Sequence, residues 1–241
     1  MCGLGGVPYY LSLLRTSESL AQNVDMLFFS KNAELKQEYK RFSKSLFKNP
    51  EKYMGVVKTL SENRAGLSKS ELAEKLGVSN NGHLSELLED LENCDFISRY
   101  NVKQKKISAK NSIYRLKDMY SIFFLEFSKV LTTDPCYWSK SVNSQTQSTW
   151  WGLAFERLCM DHVEQILSAI GVRAVHTEYY SWRWAGEERK KIAGRISSFR
   201  KNTGTKYGIV PTLITTYGLK RGINSGYFNG SVVTIADLLE F

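Results

Sequence analysis

The chain has little cysteine, and its four cysteines, Cys2, Cys94, Cys136 and Cys159, stand far apart in 241 residues. Zinc sites and disulfide frameworks need cysteines at short recurring spacings, so the sequence predicts neither. It also lacks an uncharged apolar run of about 18 residues, the length needed to cross a bilayer. The first residues have neither the basic segment nor the long apolar core of a signal peptide. These absences predict a soluble, cytoplasmic chain without a membrane partner.

Positive charge is what the chain has in excess, with 33 Lys and Arg against 24 Asp and Glu and a formal net charge of +9. Such a balance favours an anionic partner such as nucleic acid, although solubility alone also accounts for it. Hydrophobic residues make up 42% of the chain, which is ordinary for a globular protein. At roughly 100 to 200 residues per domain, the length predicts two units or three small ones.

The stretch from Ser68 to Arg115 has the pattern of a winged helix. Ser68 and Glu71 have the spacing of a capping box, which predicts a helix start. After Gly77, a second helix over 80–93 carries leucines at three- and four-residue steps, typical of a buried helical stripe. These are Leu84, Leu87, Leu88 and Leu91. Two β-rich runs, 96–100 and 112–116, then predict a hairpin with a charged tip.

Charge is divided unevenly within this stretch. Residues 68–95 hold two lysines and seven acids, whereas residues 96–118 hold seven basic residues and one acid. The second helix would occupy the recognition position, and its acids repel phosphate. Contact with the nucleic-acid backbone is therefore expected from the hairpin, through Arg99, Lys103, Lys105, Lys106 and Lys110. The alternative is a winged helix that packs between domains and leaves these cations solvated.

A second basic cluster lies further along the chain, beside Trp182 and Trp184. Its members are Arg183, Arg189, Lys190, Lys191, Arg195, Arg200, Lys201 and Lys206. Interleaved cations and aromatics suit phosphate contact and base stacking. A solvated helix face with two core tryptophans explains the same pattern and is the preferred interpretation.

The remaining periodicities predict helices on both sides of the winged helix. Residues 1–50 are a small helical segment, 119–130 is a strongly apolar helix, and 132–148 is a connector rich in Ser, Thr and Gln. A second unit is expected to begin near Trp150. Its predicted elements are a helix to Ile170, a strand over 172–180, a basic helix over 186–202, a strand over 207–215 and a closing helical turn over 237–241.

Several short motifs together resemble the archaeal-type AAA+ ATPases, which carry a C-terminal domain similar to restriction endonucleases. They are Gly5 to Leu11, the winged helix, Asp118 to Phe124, Gly152 to Glu156 with Cys159 and His162, and Leu213 to Gly218. The resemblance implies an α+β chain built from a helical lid remnant of an ATPase domain, a winged helix, and a truncated α/β endonuclease-like domain. The implied bounds are 1–50 for the remnant, 51–118 for the winged helix, 119–149 for an apolar helix and linker, and 150–241 for the shortened endonuclease-like domain.

The resemblance also implies which active sites to expect. In that family a P-loop domain precedes the segment with which this chain starts, so neither ATP nor Mg²⁺ is expected to bind here. The family's endonuclease-like domain holds divalent metal with a helix Glu, a strand Asp and a Glu-x-Lys strand. Only the helix Glu has a match, at Glu156, so the metal site is expected to be deleted and Glu156 vestigial.

The resulting expectation is a non-catalytic nucleic-acid-binding or protein-binding module, with DNA as one candidate partner and the type of nucleic acid left open. One alternative is a metal-dependent nuclease that uses Glu156 with a second carboxylate such as Glu178. Another is a structural partner of a separately encoded P-loop ATPase subunit. In the shortened domain the strands over 172–180 and 207–215 are expected either to pair with each other or to present open edges. Because open edges invite association, self-association is a further expectation.

Overall fold

The computed structural model describes residues 4, 7–46, 49–101, 112–127, 130, 134–175, 192–217 and 230–239. Its contacts divide the chain into an N-terminal unit, residues 1–155, and a C-terminal unit, residues 156–241. Helices and small sheets are mixed, which confirms the α+β class in general. Among these described ranges, no helix combines the length and the apolar character that crossing a membrane requires.

The N-terminal unit begins with short helices. They are α1 (Pro8–Ser12), α2 (Leu20–Val24), a π-helical turn (Asp25–Phe29) and α3 (Glu34–Leu46). A capping box of Ser19 and Gln22 starts α2. The helical character predicted for this segment is confirmed over the residues described.

The next stretch contains the predicted helices and hairpin. Its elements are α4 (Pro50–Glu62), β1 (Leu67–Ser68), α5 (Lys69–Leu76), α6 (Gly82–Asn93), β2 (Ile97–Asn101) and β3 (Ser112–Leu116). The predicted capping box is present, since the Ser68 hydroxyl accepts from the Glu71 N–H and the Glu71 carboxylate accepts from the Ser68 N–H. The strands are ordered β1-β3-β2, and both β1 and β2 pair with β3 in antiparallel register.

Helix α7 (Met119–Phe127) supplies the centre of an aromatic core. Phe123 lies between Phe28 and Trp150, with ring centroids 4.5 and 5.0 Å away. The same hydrophobic cluster includes residues of the first helices and of α4 to β3, so residues 4–154 share one core. The predicted lid remnant, winged helix and apolar helix therefore do not have separate cores.

The predicted connector over 132–148 is wrong at two places, where the structure has helix. It contains α8 (Tyr137–Lys140) and the start of α9 (Gln145–Asp161). Trp138 in α8 is buried, and Gln147 in α9 donates from Nε2 to the Trp138 carbonyl at 2.7 Å. Polar composition suggested a loop, but one buried tryptophan and a satisfied buried amide fix this segment to the core.

The C-terminal unit continues after α9 with helices and one small sheet. Its further elements are α10 (Val163–Ala169), α11 (Ile192–Thr203), β4 (Thr212–Thr215), β5 (Ser231–Thr234) and α12 (Ile235–Leu239). The strand predicted over 172–180 is wrong in its described part, because residues 172–175 form turns after Gly171. Its remainder lies outside the described residues. The partner of β4 is β5, in parallel register, a strand that the sequence did not predict.

Candidate nucleic-acid interface

The turn between α5 and α6 fixes the helix that would occupy the recognition position. Gly77 ends α5 in the left-handed conformation, and the Asn81 side chain caps α6 by accepting from the Leu84 N–H. The Lys69 ammonium group donates to the Asn81 carbonyl at 2.7 Å and to the Ser85 hydroxyl at 2.5 Å. One lysine therefore ties the first residue of α5 to the first turn of α6.

Helix α6 buries its leucine stripe and exposes an acidic face. Leu84, Leu87, Leu88 and Leu91 are buried, as their spacing predicted. On the opposite side Glu86, Glu89 and Asp90 are exposed. The Tyr53 hydroxyl donates to Asp90 at 2.6 Å, and this hydrogen bond raises the pKa of Tyr53 to about 12. A neutral phenol leaves the carboxylate charge in place, so α6 presents a surface that repels phosphate.

The base of the β2–β3 hairpin is held to the end of α6 by ion pairs. Lys117 donates to both carboxylate oxygens of Asp95, at 2.7 and 2.8 Å. The Nε of Arg99 lies 3.5 Å from a carboxylate oxygen of Glu92. Arg99 is exposed on β2, as predicted, but its charge is offset by Glu92, which weakens its predicted role as a phosphate contact.

The other predicted contact residues lie between β2 and β3 in sequence. Lys103, Lys105, Lys106 and Lys110 all lie outside the described residues. Because Arg99 and Lys117 are paired with acids at the end of α6, most of the hairpin's unbalanced charge resides in these four lysines.

A groove of about 360 Å³ lies between α4, α5 and α6. Its apolar lining includes Val56, Leu76, Val78 and Leu84, and its polar lining includes the pair Lys52 and His83, whose Nζ and Nε2 atoms are 3.3 Å apart. Sequence reasoning missed it because its walls come from three helices. The only local signal is Val78, an exposed apolar residue after Gly77.

Glu156, the predicted vestigial metal ligand, is exposed on α9. Within the described residues, no three His, Cys, Asp or Glu side chains are grouped closely enough to hold a metal ion. Nearby, burial raises the pKa of the Cys159 thiol, and Nδ1 of His162 lies 2.8 Å from the Leu158 carbonyl one turn earlier. Glu178, the alternative second carboxylate, lies outside the described residues.

The resemblance to archaeal-type ATPases is carried by the quoted sequence motifs alone. Comparison of the chain with protein-family models, with curated proteins and with solved structures finds no match.

Proposed function

We propose that the chain is a non-catalytic binding module related to the archaeal-type ATPases, which contacts the nucleic-acid backbone through a winged helix. The element order from α4 to β3, with an antiparallel sheet ordered β1-β3-β2, supports the winged helix. In such folds α6 would be the recognition helix and the β2–β3 hairpin the wing.

The separation of charge between α6 and the hairpin is the observation that carries the proposal. An acidic α6 is unsuited to the major groove, where phosphates flank any inserted helix. The hairpin has the opposite sign, and its lysines supply cations that position the module without specifying a sequence. The proposed contact is therefore independent of base sequence and sensitive to salt.

The proposal includes no chemistry at Glu156 and no ATP binding. The glycine-rich stretch at residues 3–6, interrupted by Leu4, is not followed by the Gly-Lys-Ser/Thr that cradles phosphates in a P-loop. Cleavage of nucleic acid that stops when a chelator is added would instead support the nuclease alternative through Glu156.

The first prediction concerns duplex DNA. Changing Lys103, Lys105 and Lys106 together to Ala is expected to reduce the slope of log K against log salt by about 2 to 3 units, at roughly 0.9 unit per phosphate contact. The slope is measured by fluorescence anisotropy of a labelled duplex at a series of salt concentrations.

The matched control changes Lys31, Lys58 and Lys75 to Ala, because these lysines are exposed and lie outside the hairpin. It removes the same net charge and should leave the slope nearly unchanged. Equal slopes for the hairpin variant and the unmodified chain would favour the packing role of the winged helix, for example against a separately encoded ATPase subunit.

A further inference from the structure

One part of the C-terminal unit carries an excess of positive charge as large as that of the whole chain. Residues 189–236, the acid-free segment, contain nine of the 33 Lys and Arg residues and none of the 24 Asp and Glu residues. The rest of the chain therefore has 24 residues of each sign and no net charge. Nine cations in one segment without an internal counter-charge favour a polyanionic partner.

Three cations in the described part of this segment are exposed to solvent. Arg200 and Lys201 are exposed in the last turn of α11, and Lys206 is exposed just beyond it. Within the described ranges, none of the three forms an ion pair. These three cations lie within seven residues of sequence, each without a described acidic neighbour, and are available to contact phosphate groups.

Hydrogen bonds order the loop that follows α11. Gly204 ends the helix with a φ of +63°, and its N–H donates to the Arg200 carbonyl at 3.0 Å. The Thr203 hydroxyl accepts from the Thr205 N–H, and the Thr205 hydroxyl accepts from the Tyr207 N–H at 3.2 Å. These bonds position Tyr207 directly after the three cations.

Two tyrosines of the acid-free segment are unusually exposed. Tyr207 is 66% exposed and Tyr217 is 94% exposed, which makes them the most exposed aromatic side chains among the described residues. They flank β4, five residues before it and two after it. Most other described aromatics are buried in the core, so these two rings are available for contact with a partner.

We propose that residues 200–217 bind single-stranded nucleic acid, with phosphates on Arg200, Lys201 and Lys206 and bases stacked on Tyr207 and Tyr217. Exposed rings, together with exposed cations that have no ion pair within the described residues, are the two components of sequence-independent single-strand binding. A duplex would use the cations but not the rings, because its bases are already stacked on one another. The site is independent of the hairpin, so either proposal can fail without the other.

The proposed phosphate contacts are tested by measuring how the full chain binds a labelled oligothymidine. Changing Arg200, Lys201 and Lys206 to Gln should reduce the salt slope by about 2 units, at roughly 0.7 unit per contact with a single strand. The control with Lys31, Lys58 and Lys75 changed to Gln removes the same charge and should keep the slope. Equal losses in both variants would overturn the proposed site.

Stacking is tested by changing each tyrosine separately. Tyr207→Ala and Tyr217→Ala should each weaken oligothymidine binding about 5-fold to 150-fold, the range that corresponds to loss of one stacked base. Tyr207→Phe and Tyr217→Phe keep the ring and should bind within about twofold of the unmodified chain on the same argument. Equal binding by the Ala and Phe variants would overturn the stacking assignment.

Two further measurements separate this surface from its alternatives. The variant with Lys103, Lys105 and Lys106 changed to Ala should retain oligothymidine binding even where it loses duplex binding, because the two surfaces differ. Vesicles of phosphatidylcholine and phosphatidylserine present an anionic membrane. Binding to these vesicles that depends on Tyr207 and Tyr217, without binding to oligothymidine, would assign the surface to a membrane and overturn the proposal.

Discussion

Gly66→Ala is expected to destabilise the N-terminal unit by about 3 kcal/mol or more. Gly66 has a φ of +82°, a conformation that costs an L residue energy. A Cβ atom there would lie 2.6 Å from both the Tyr114 carbonyl oxygen and Cγ2 of Ile113 on β3. Because one of these atoms belongs to the backbone of the central strand, β1 and β3 would have to move apart. Urea denaturation followed by tryptophan fluorescence measures the loss.

Gly77→Ala is the control that separates the steric clash expected at Gly66 from the energetic cost of placing alanine in the left-handed conformation. Gly77 has a φ of +64°, but a Cβ atom there would meet nothing within 4 Å. Only the left-handed conformation is penalised, so the expected loss is about 1 to 2 kcal/mol. Similar losses for the two variants would mean that the close approach of Gly66 to β3 is not a packing constraint.

Asp25→Ala is the second large effect, with an expected loss of about 2 to 4 kcal/mol. The buried Asp25 carboxylate accepts from the Trp138 N–H at 2.7 Å, from the Ser139 N–H at 3.0 Å and from the Ser139 hydroxyl. It thereby satisfies the first turn of α8, where four N–H groups have no partner within the helix. Alanine would leave these donors without an acceptor in the core. Urea denaturation followed by circular dichroism measures the change.

Two controls define this result. Asp25→Asn keeps one acceptor oxygen and most of the volume, so it should lose less stability than Asp25→Ala. Asp134 also caps α8, accepting from the Cys136 N–H at 3.0 Å, but it is far more exposed than Asp25. Asp134→Ala should therefore have a much smaller effect. A loss at Asp134 as large as that at Asp25 would show that capping of α8 matters more than burial of the carboxylate.

Local sequence patterns correctly predicted those features that depend on interactions between residues close together in the chain. The capping box of Ser68 and Glu71 forms within one helical turn, so spacing alone predicted where α5 starts. The leucine stripe of α6 was predictable because one helix determines which side chains share a face. The charge of each segment is also a property of the chain alone. The opposite signs of α6 and the hairpin were therefore evident before the fold.

Sequence patterns failed to predict those features that depend on contacts between residues far apart in the chain. Thr132 to Ser148 is polar enough to resemble a connector, yet Asp25 reaches across 113 residues of sequence to cap α8 there. Ion pairing also weakened the case for Arg99 as a phosphate contact, because Glu92 offsets its charge. In the C-terminal unit, β4 pairs with β5 across a gap in sequence that no local pattern bridges.

By itself the sequence determined the composition, the charge distribution, helices α5 and α6 and the hairpin strands β2 and β3, because propensity, capping and periodicity act over one or two turns. Tertiary structure alone decided that residues 4–154 share one core, which cations are already paired, and which tyrosines remain exposed. The physical reason is that burial and pairing depend on side chains far apart in the chain. Their free energies are realised only when folding brings those side chains into contact.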